Sequence, residues 1–243
     1  GAVPRPRLSR QQQAIRRGGR APERKVLYPI HQGPQLAFML SQAEEVLYGG
    51  AAGGGKSYAF RAWAVDYCMR YPGAIVALFR RSYRQLEDTH IIRFQQELPL
   101  SIATYKADAH DVIFSNGSMI MCRFAEHEDD VRSYDTAEWD ALLVDEITHF
   151  TKFQFVYLLS RVRSTKPWWP GRRIRVAATP LGIGHAWVKE RWVDSAPPNV
   201  IWKAPASEGG LTRQFIPAKL ADNLTLMRMD PQYIKTLRAL PNE

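Results

Sequence analysis

Gly50-Ala51-Ala52-Gly53-Gly54-Gly55-Lys56-Ser57 follows the apolar run Val46-Leu47-Tyr48 and leads into a helix-forming stretch. A G-x-x-x-x-G-K-[ST] pattern between a strand and a helix has a physical reading. Its glycines let backbone N–H groups turn inward around an anion, and the N-terminus of the following helix adds partial positive charge. In such a loop Lys56 reaches the β- and γ-phosphates of a nucleoside triphosphate, and the Ser57 hydroxyl ligates Mg²⁺. Gly50, Gly53, Gly54, Gly55, Lys56 and Ser57 are the candidate nucleotide-binding residues.

Downstream, Ala141-Leu142-Leu143-Val144-Asp145-Glu146 places two carboxylates at the C-terminal end of an apolar strand, the edge of an α/β sheet that faces ligand. Asp145 is the candidate Mg²⁺ ligand, directly or through water, and Glu146 the candidate general base for an attacking water. A second strand end, Ala178-Thr179-Pro180, offers a hydroxyl that senses the γ-phosphate or positions water. Thr-Pro also terminates strands without any catalytic duty.

The rest of the chain reads as strands alternating with helices. A hydrophobic segment at Leu36–Leu40 precedes a strand at about 45–49. A helix runs from Lys56 to Tyr71 and stops at Tyr71-Pro72-Gly73. The continuous apolar run Ala74–Phe79 predicts a strand covered on both faces. A polar helix spans about Tyr83–Leu98, and Asn116-Gly117 between Val112–Phe114 and Met119–Met121 signals a hairpin. Then come a helix at Lys152–Arg163, a strand at Ile174–Ala178, a helix at His185–Asp194 and a last strand at Val200–Trp202. Asp230-Pro231 opens a helix to about Leu240. This order predicts a mostly parallel α/β sheet with one antiparallel hairpin inserted. Residues 1–30 read as a basic arm, 31–205 as the core and 206–243 as a C-terminal extension.

Composition narrows the classes. Of 243 residues, 45% are hydrophobic, enough for a buried core. Two cysteines, Cys68 and Cys122, lie far apart, which argues against a disulfide framework or zinc site. No apolar run approaches a membrane span. The net charge of +9 is concentrated in residues 1–25, which carry eight basic groups against Glu23, so the remainder is close to neutral. Two readings stand for the arm: phosphate contact or a solvated tail. Trp168-Trp169-Pro170 beside Arg172 and Arg173 likewise reads as a contact for DNA or a partner, or as a packed loop.

With these pieces in place, the chain resembles the ATPase domain of the large terminases, the DNA-packaging motors of tailed bacteriophages, from about Gln32 to its C-terminus. The marks are Gln35, Tyr48–Ser57, Phe79-Arg80-Arg81-Ser82-Tyr83, Val131-Arg132-Ser133, Leu143-Val144-Asp145-Glu146, Leu159-Ser160-Arg161-Val162-Arg163 and Ala178-Thr179-Pro180. The resemblance implies a P-loop fold of the additional-strand, RecA-like class, with an extra strand between those of the phosphate loop and the Asp-Glu pair. It implies hydrolysis of ATP with Mg²⁺, powering translocation of double-stranded DNA into a procapsid. It gives Gln35 a role at adenine and Thr179 a coupling role. Implied partners are other copies of the chain in a homo-oligomeric ring, the portal protein and the small terminase subunit. The implied location is the host cell cytoplasm, transiently at the procapsid portal vertex.

In the family a neighbouring subunit supplies an arginine to each ATP site, and the matching position is Arg132. Two departures bear on this. Many relatives carry an arginine inside the phosphate loop, where Ala51-Ala52 stand here, and glycine usually follows the finger position, where Ser133 stands. Arg80, Arg81, Arg161 and Arg163 therefore remain rivals. Large terminases also carry a nuclease domain with clustered carboxylates. No second such constellation precedes Leu240-Pro241-Asn242-Glu243, so the expectation is ATP hydrolysis without DNA cleavage. Two alternatives are a superfamily 2 helicase-like ATPase, whose second RecA-like domain the residues after 205 cannot supply, and a nucleotide-dependent interaction module without efficient turnover.

Overall fold

Strand β1 (Glu45–Gly50) runs directly into the phosphate loop, and helix α2 (Lys56–Arg70) leaves it. The computed structural model describes residues 27–50, 53 and 55–230. The basic arm up to residue 26, three loop positions (51, 52 and 54) and the helix predicted beyond Asp230 lie outside the described residues. Helix α1 (Pro34–Leu40) precedes β1, with proline at its first turn where no N–H partner is needed.

Beyond α2 come β2 (Ile75–Arg80), α3 (Tyr83–Leu86), a π-turn (Glu87–Ile91) and α4 (Ile92–Glu97). The single helix predicted over Tyr83–Leu98 is thus interrupted. Strands β3 (Ala103–Lys106), β4 (Asp111–Phe114), β5 (Met119–Phe124) and β6 (Ala141–Val144) follow. Helix α5 covers Lys152–Leu159, and residues 160–163 fall outside it. Then come β7 (Ile174–Ala178), α6 (His185–Val188) continued by a second π-turn (Lys189–Val193), β8 (Ile201–Lys203), β9 (Thr212–Ala218) and α7 (Leu224–Met229).

The nine strands form one sheet in the order β3-β4-β5-β2-β6-β7-β1-β9-β8. The central run from β5 to β9 is parallel throughout, and antiparallel pairs join only at the two edges. The expected hairpin is present as β4–β5, turning at Gly117 with φ 82°, and β5 then joins β2 in parallel. Strand β7 lies between β1 and β6, the additional strand of the predicted class. The sheet continues past residue 205: β9 pairs in parallel with β1 over six residues, a strand the sequence did not announce.

Both faces of the sheet are covered at its centre, which is why β1, β2 and β6 read as apolar runs. Alternate side chains face opposite cores. Val46 and Tyr48 join Phe38, Phe60 and Trp63 on one side, and Leu47 joins Phe79, Trp139, Phe155 and Trp192 on the other. Trp168 stacks on Tyr71 and Trp169 donates to the Asp140 carbonyl at 2.9 Å, so the Trp-Trp-Pro segment is a packed loop. No helix among the described residues is long and apolar enough to cross a membrane.

Candidate active site

Because β2, β6, β7 and β1 run parallel and side by side, their C-terminal ends share one edge. Phe79 pairs with Val144 and Gly49 with Ala178, so Arg80, Asp145-Glu146, Thr179 and the phosphate loop all emerge there. Gly50 has φ 134°, and a Cβ on it would collide with the carbonyl oxygen of Ala218 in β9. Glycine is thus required both for the turn and for the neighbouring strand. Gly55, at φ 75°, sits immediately before α2.

Asp145 is completely buried. Its Oδ2 accepts from Ser57 Oγ at 3.2 Å, Arg80 Nε at 3.1 Å and His90 Nε2 at 2.8 Å, and its Oδ1 accepts from the Glu146 N–H at 3.1 Å. Burial alone would push the carboxyl up. The hydrogen bond and field of His90, with Arg80 and Ser57, outweigh it and hold Asp145 well below the usual carboxylate range. An ionised carboxylate oxygen beside a serine hydroxyl is a hard-oxygen pair of the kind Mg²⁺ takes alongside substrate phosphates, so these residues fit the ion.

Lys56 is also buried, and its Nζ donates to the Gly50 carbonyl at 3.1 Å. Burial lowers its ammonium from the usual value, while Glu146 and Asp145 oppose that shift. Glu146 adopts the left-handed region at φ 52°, uncommon for a residue with a side chain. Its two carboxylate oxygens accept from Thr179, Oε2 from the N–H and Oε1 from Oγ1, each at 3.1 Å. Arg80 Nη2 lies 3.8 Å from Oε1. The two catalytic candidates from separate strand ends are thus in direct contact.

His90 is the residue the sequence did not single out. It reaches Asp145 from the π-turn, where one extra residue in the turn shifts side-chain directions relative to a regular helix. Burial pushes its imidazole below the usual value, with Asp145 opposing. Arg61 braces the same corner, donating to the Thr89 carbonyl at 3.0 Å and pairing with Glu97 at 2.8 Å. Nothing in a polar helical stretch signals a π-turn, so His90 had no sequence signature.

Gln35 lies beside the phosphate loop, with Nε2 donating to the Gly55 carbonyl at 3.4 Å and Oε1 accepting from the His31 N–H at 3.1 Å. A cleft of about 420 Å³ opens between Gly53, Gly55, Lys56 and Ser57 on one side and Glu146 and Thr179 on the other. The arginine candidates divide. Arg80 is committed to its own site, also donating to Thr89 Oγ1 at 2.8 Å, and Arg81 donates to the His149 carbonyl at 2.6 Å. Arg132 does not line the cleft. It sits on an outer turn (Glu128–Tyr134), 62% exposed, with Asp129 at 3.3 Å and its guanidinium over the Phe153 ring. Arg161 donates to the Asp135 carbonyl and Arg163 pairs with Glu138 at 3.1 Å.

A glycine-rich loop between β1 and α2, an Asp-Glu strand end and an additional strand between them define a P-loop nucleoside triphosphatase of the additional-strand class. The family described as terminase large subunit, T4likevirus-type, N-terminal, matches residues 47–243, and the chain belongs to it. This sets the helicase-like reading aside. No curated protein matches the chain in sequence. Among solved structures, the large terminase of a thermophilic bacteriophage superposes with TM-score 0.64 at 13% identity, covering 85% of this chain and 50% of that one. The same thermophilic-phage protein in complex with ADP gives 0.63 at 15%, covering 88% and 51%. The ATPase domain of the Thermus phage P74-26 large terminase gives 0.59 at 17%, covering 89% and 91%. The chain therefore spans about half the length of the thermophilic-phage terminase.

Proposed function

We propose that this chain hydrolyses ATP with Mg²⁺ to drive double-stranded viral DNA into a procapsid. Family membership supports the reading, as does the likeness to a large terminase solved with ADP. The observation that carries it is the pair of hydrogen bonds from Thr179 to Glu146, which fixes a carboxylate at the edge of the cleft opposite Lys56 and Ser57. Ser57 and Asp145 would hold the metal, whose chemistry when bound is to neutralise charge on the β- and γ-phosphate oxygens. Lys56 binds those phosphates. Glu146 accepts the proton of the attacking water, and Thr179 keeps its carboxylate oriented. Arg80 and His90 hold Asp145 ionised and in place.

The active assembly is a homo-oligomeric ring on the portal protein, fed by the small terminase subunit, in the host cell cytoplasm. Within it Gln35 contacts adenine, and Arg132 completes a neighbour's site. The test separates binding from turnover. Lys56→Ala abolishes nucleotide binding, whereas Glu146→Ala binds ADP normally and loses roughly 10²- to 10⁴-fold in turnover, the usual contribution of a general base. Unchanged turnover in Glu146→Ala would leave only the nucleotide-dependent interaction module.

A further inference from the structure

Two amide side chains hold carbonyls of the phosphate loop from outside it. One is Gln35. The other is Asn223, whose Nδ2 donates to the Gly53 carbonyl at 2.6 Å. The same amide caps α7, its Oδ1 accepting from the Leu226 N–H at 3.1 Å. Loop and helix therefore share one planar group, and rotating it away from either partner disturbs both.

Helix α7 depends on such ties. It is six residues long, with no buried residue in it, and an isolated helix of that length is not stable in water. Thr225 Oγ1 also lies 2.9 Å from Nε2 of His31 in the N-terminal segment. Upstream, the Ala218 carbonyl abuts Gly50, so the segment from 218 to 229 touches the loop at its start and in its middle. Asn223 itself lines the cleft alongside Gly53, Gly55, Lys56 and Ser57, so its contact lies where a bound nucleotide would meet the loop.

We propose that Asn223 is a nucleotide-sensing positioning residue, latching α7 onto the phosphate loop so that nucleotide binding orders α7. This rests on the nucleotide-binding reading above. Filling the loop fixes the Gly53 carbonyl where the amide donates to it, and the capped first turn of α7 is ordered with it. Linkage makes the effect reciprocal: the factor by which nucleotide orders α7 is the factor by which the latch tightens nucleotide.

The test uses the whole chain with Mg²⁺ and ADP, reading hydrogen exchange across residues 224–229 and ADP affinity. Asn223→Ser keeps a neutral helix-capping oxygen but is too short to reach Gly53. Thr225→Ala cuts the tie to His31 and leaves the latch. In the unmodified chain ADP should slow exchange at 224–229 by about two- to tenfold, the range of one net hydrogen bond. Asn223→Ser should lose the ADP response at 224–229 and bind ADP more weakly by the same factor. Thr225→Ala should retain the response. Asn223→Ser responding like the unmodified chain, or a response lost only in Thr225→Ala, would overturn the latch. So would ADP binding with no change at 224–229, which leaves the nucleotide site intact. Failure of the unmodified chain to bind ADP at all would instead remove the nucleotide-binding reading itself.

Discussion

Glu146 shows what a single residue is made to do at this site. A left-handed backbone on a non-glycine residue costs of order 1–3 kcal/mol and persists only where its surroundings enforce it. Here the enforcing group is Thr179, through its N–H and its hydroxyl. Thr179→Val keeps the side-chain volume and the backbone donor but deletes the hydroxyl. A hydrogen bond to a charged group contributes about 1.5–3 kcal/mol. The expected result in single-turnover assays is a kcat lower by roughly ten- to a hundredfold with ADP affinity unchanged. A normal kcat would mean that Thr179 does not orient the base. His90 makes a prediction in pH. Because burial depresses its imidazole, below about pH 6.5 the unfolded chain protonates it and the folded chain does not. The unfolded state then binds more protons, so stability falls as pH falls. Asp145 acts in a lower window: its contribution is present above about pH 3.9 and is lost as pH drops toward its depressed folded value. His90→Gln should therefore narrow the gap between urea midpoints at pH 7 and pH 5.5 while leaving the steeper loss at lower pH. Equal gaps in both proteins would show that His90 titrates as it does in the unfolded chain.

At the scale of elements, the strand that escaped the sequence is held by a fully buried ion pair. Thr212-Arg213-Gln214-Phe215-Ile216-Pro217-Ala218 has no apolar run, and Arg, Gln and Pro all argue against a central strand. It forms because Glu45, its register partner in β1, accepts from Arg213 Nε at 3.1 Å in a fully buried pair. The same carboxylate takes two hydrogen bonds from Arg191, at 3.0 and 2.8 Å, tying in the π-turn after α6. One acidic side chain thus joins β1, β9 and the helix packed over them. Such a partnership between residues 168 positions apart leaves no local mark. Glu45→Ala should cost about 3–5 kcal/mol, the loss expected when a buried pair is broken and its cations are stranded. Urea denaturation measures it directly, and a change under 1 kcal/mol would show that water reaches both arginines. The interrupted helix at 83–97 was hidden for a related reason, since a π-turn is selected by what its side chains meet, here Asp145 and Phe94 around His90.

For the whole molecule, the sequence made legible what parallel packing dictates. Apolar runs gave the central strands, and the motif residues fell at their C-terminal ends, so Lys56, Ser57, Asp145, Glu146 and Thr179 converge as their strand positions implied. It could not show the cis supports, because Arg80, His90 and Asn223 reach the site through tertiary contacts without sequence spacing. The remaining question is which second cation, beside Lys56, meets the γ-phosphate. The phosphate loop holds no arginine, Arg80 is occupied with both carboxylates, and Arg61 is paired with Glu97. Arg93 lines the cleft from within the chain, so a second cation at the site comes either from it or from a surface that another copy presents. Arg132 has one: 62% exposed, it is held by Asp129, itself 92% exposed, and an exposed pair of that kind contributes little and releases readily. Arg163, 53% exposed and paired with Glu138, is its nearest rival by the same criterion. Subunits carrying Arg132→Ala keep a complete nucleotide pocket but offer no finger, whereas Lys56→Ala subunits offer the finger from an empty pocket. Mixing the two inactive proteins should restore part of the hydrolysis if Arg132 acts across an interface, with the yield peaking at intermediate ratios. The same mixture made with Arg163→Ala should show no such maximum, because Arg163→Ala subunits stay active alone. Full activity of Arg132→Ala by itself would rule this arginine out, and rescue confined to the Arg163 mixture would transfer the role.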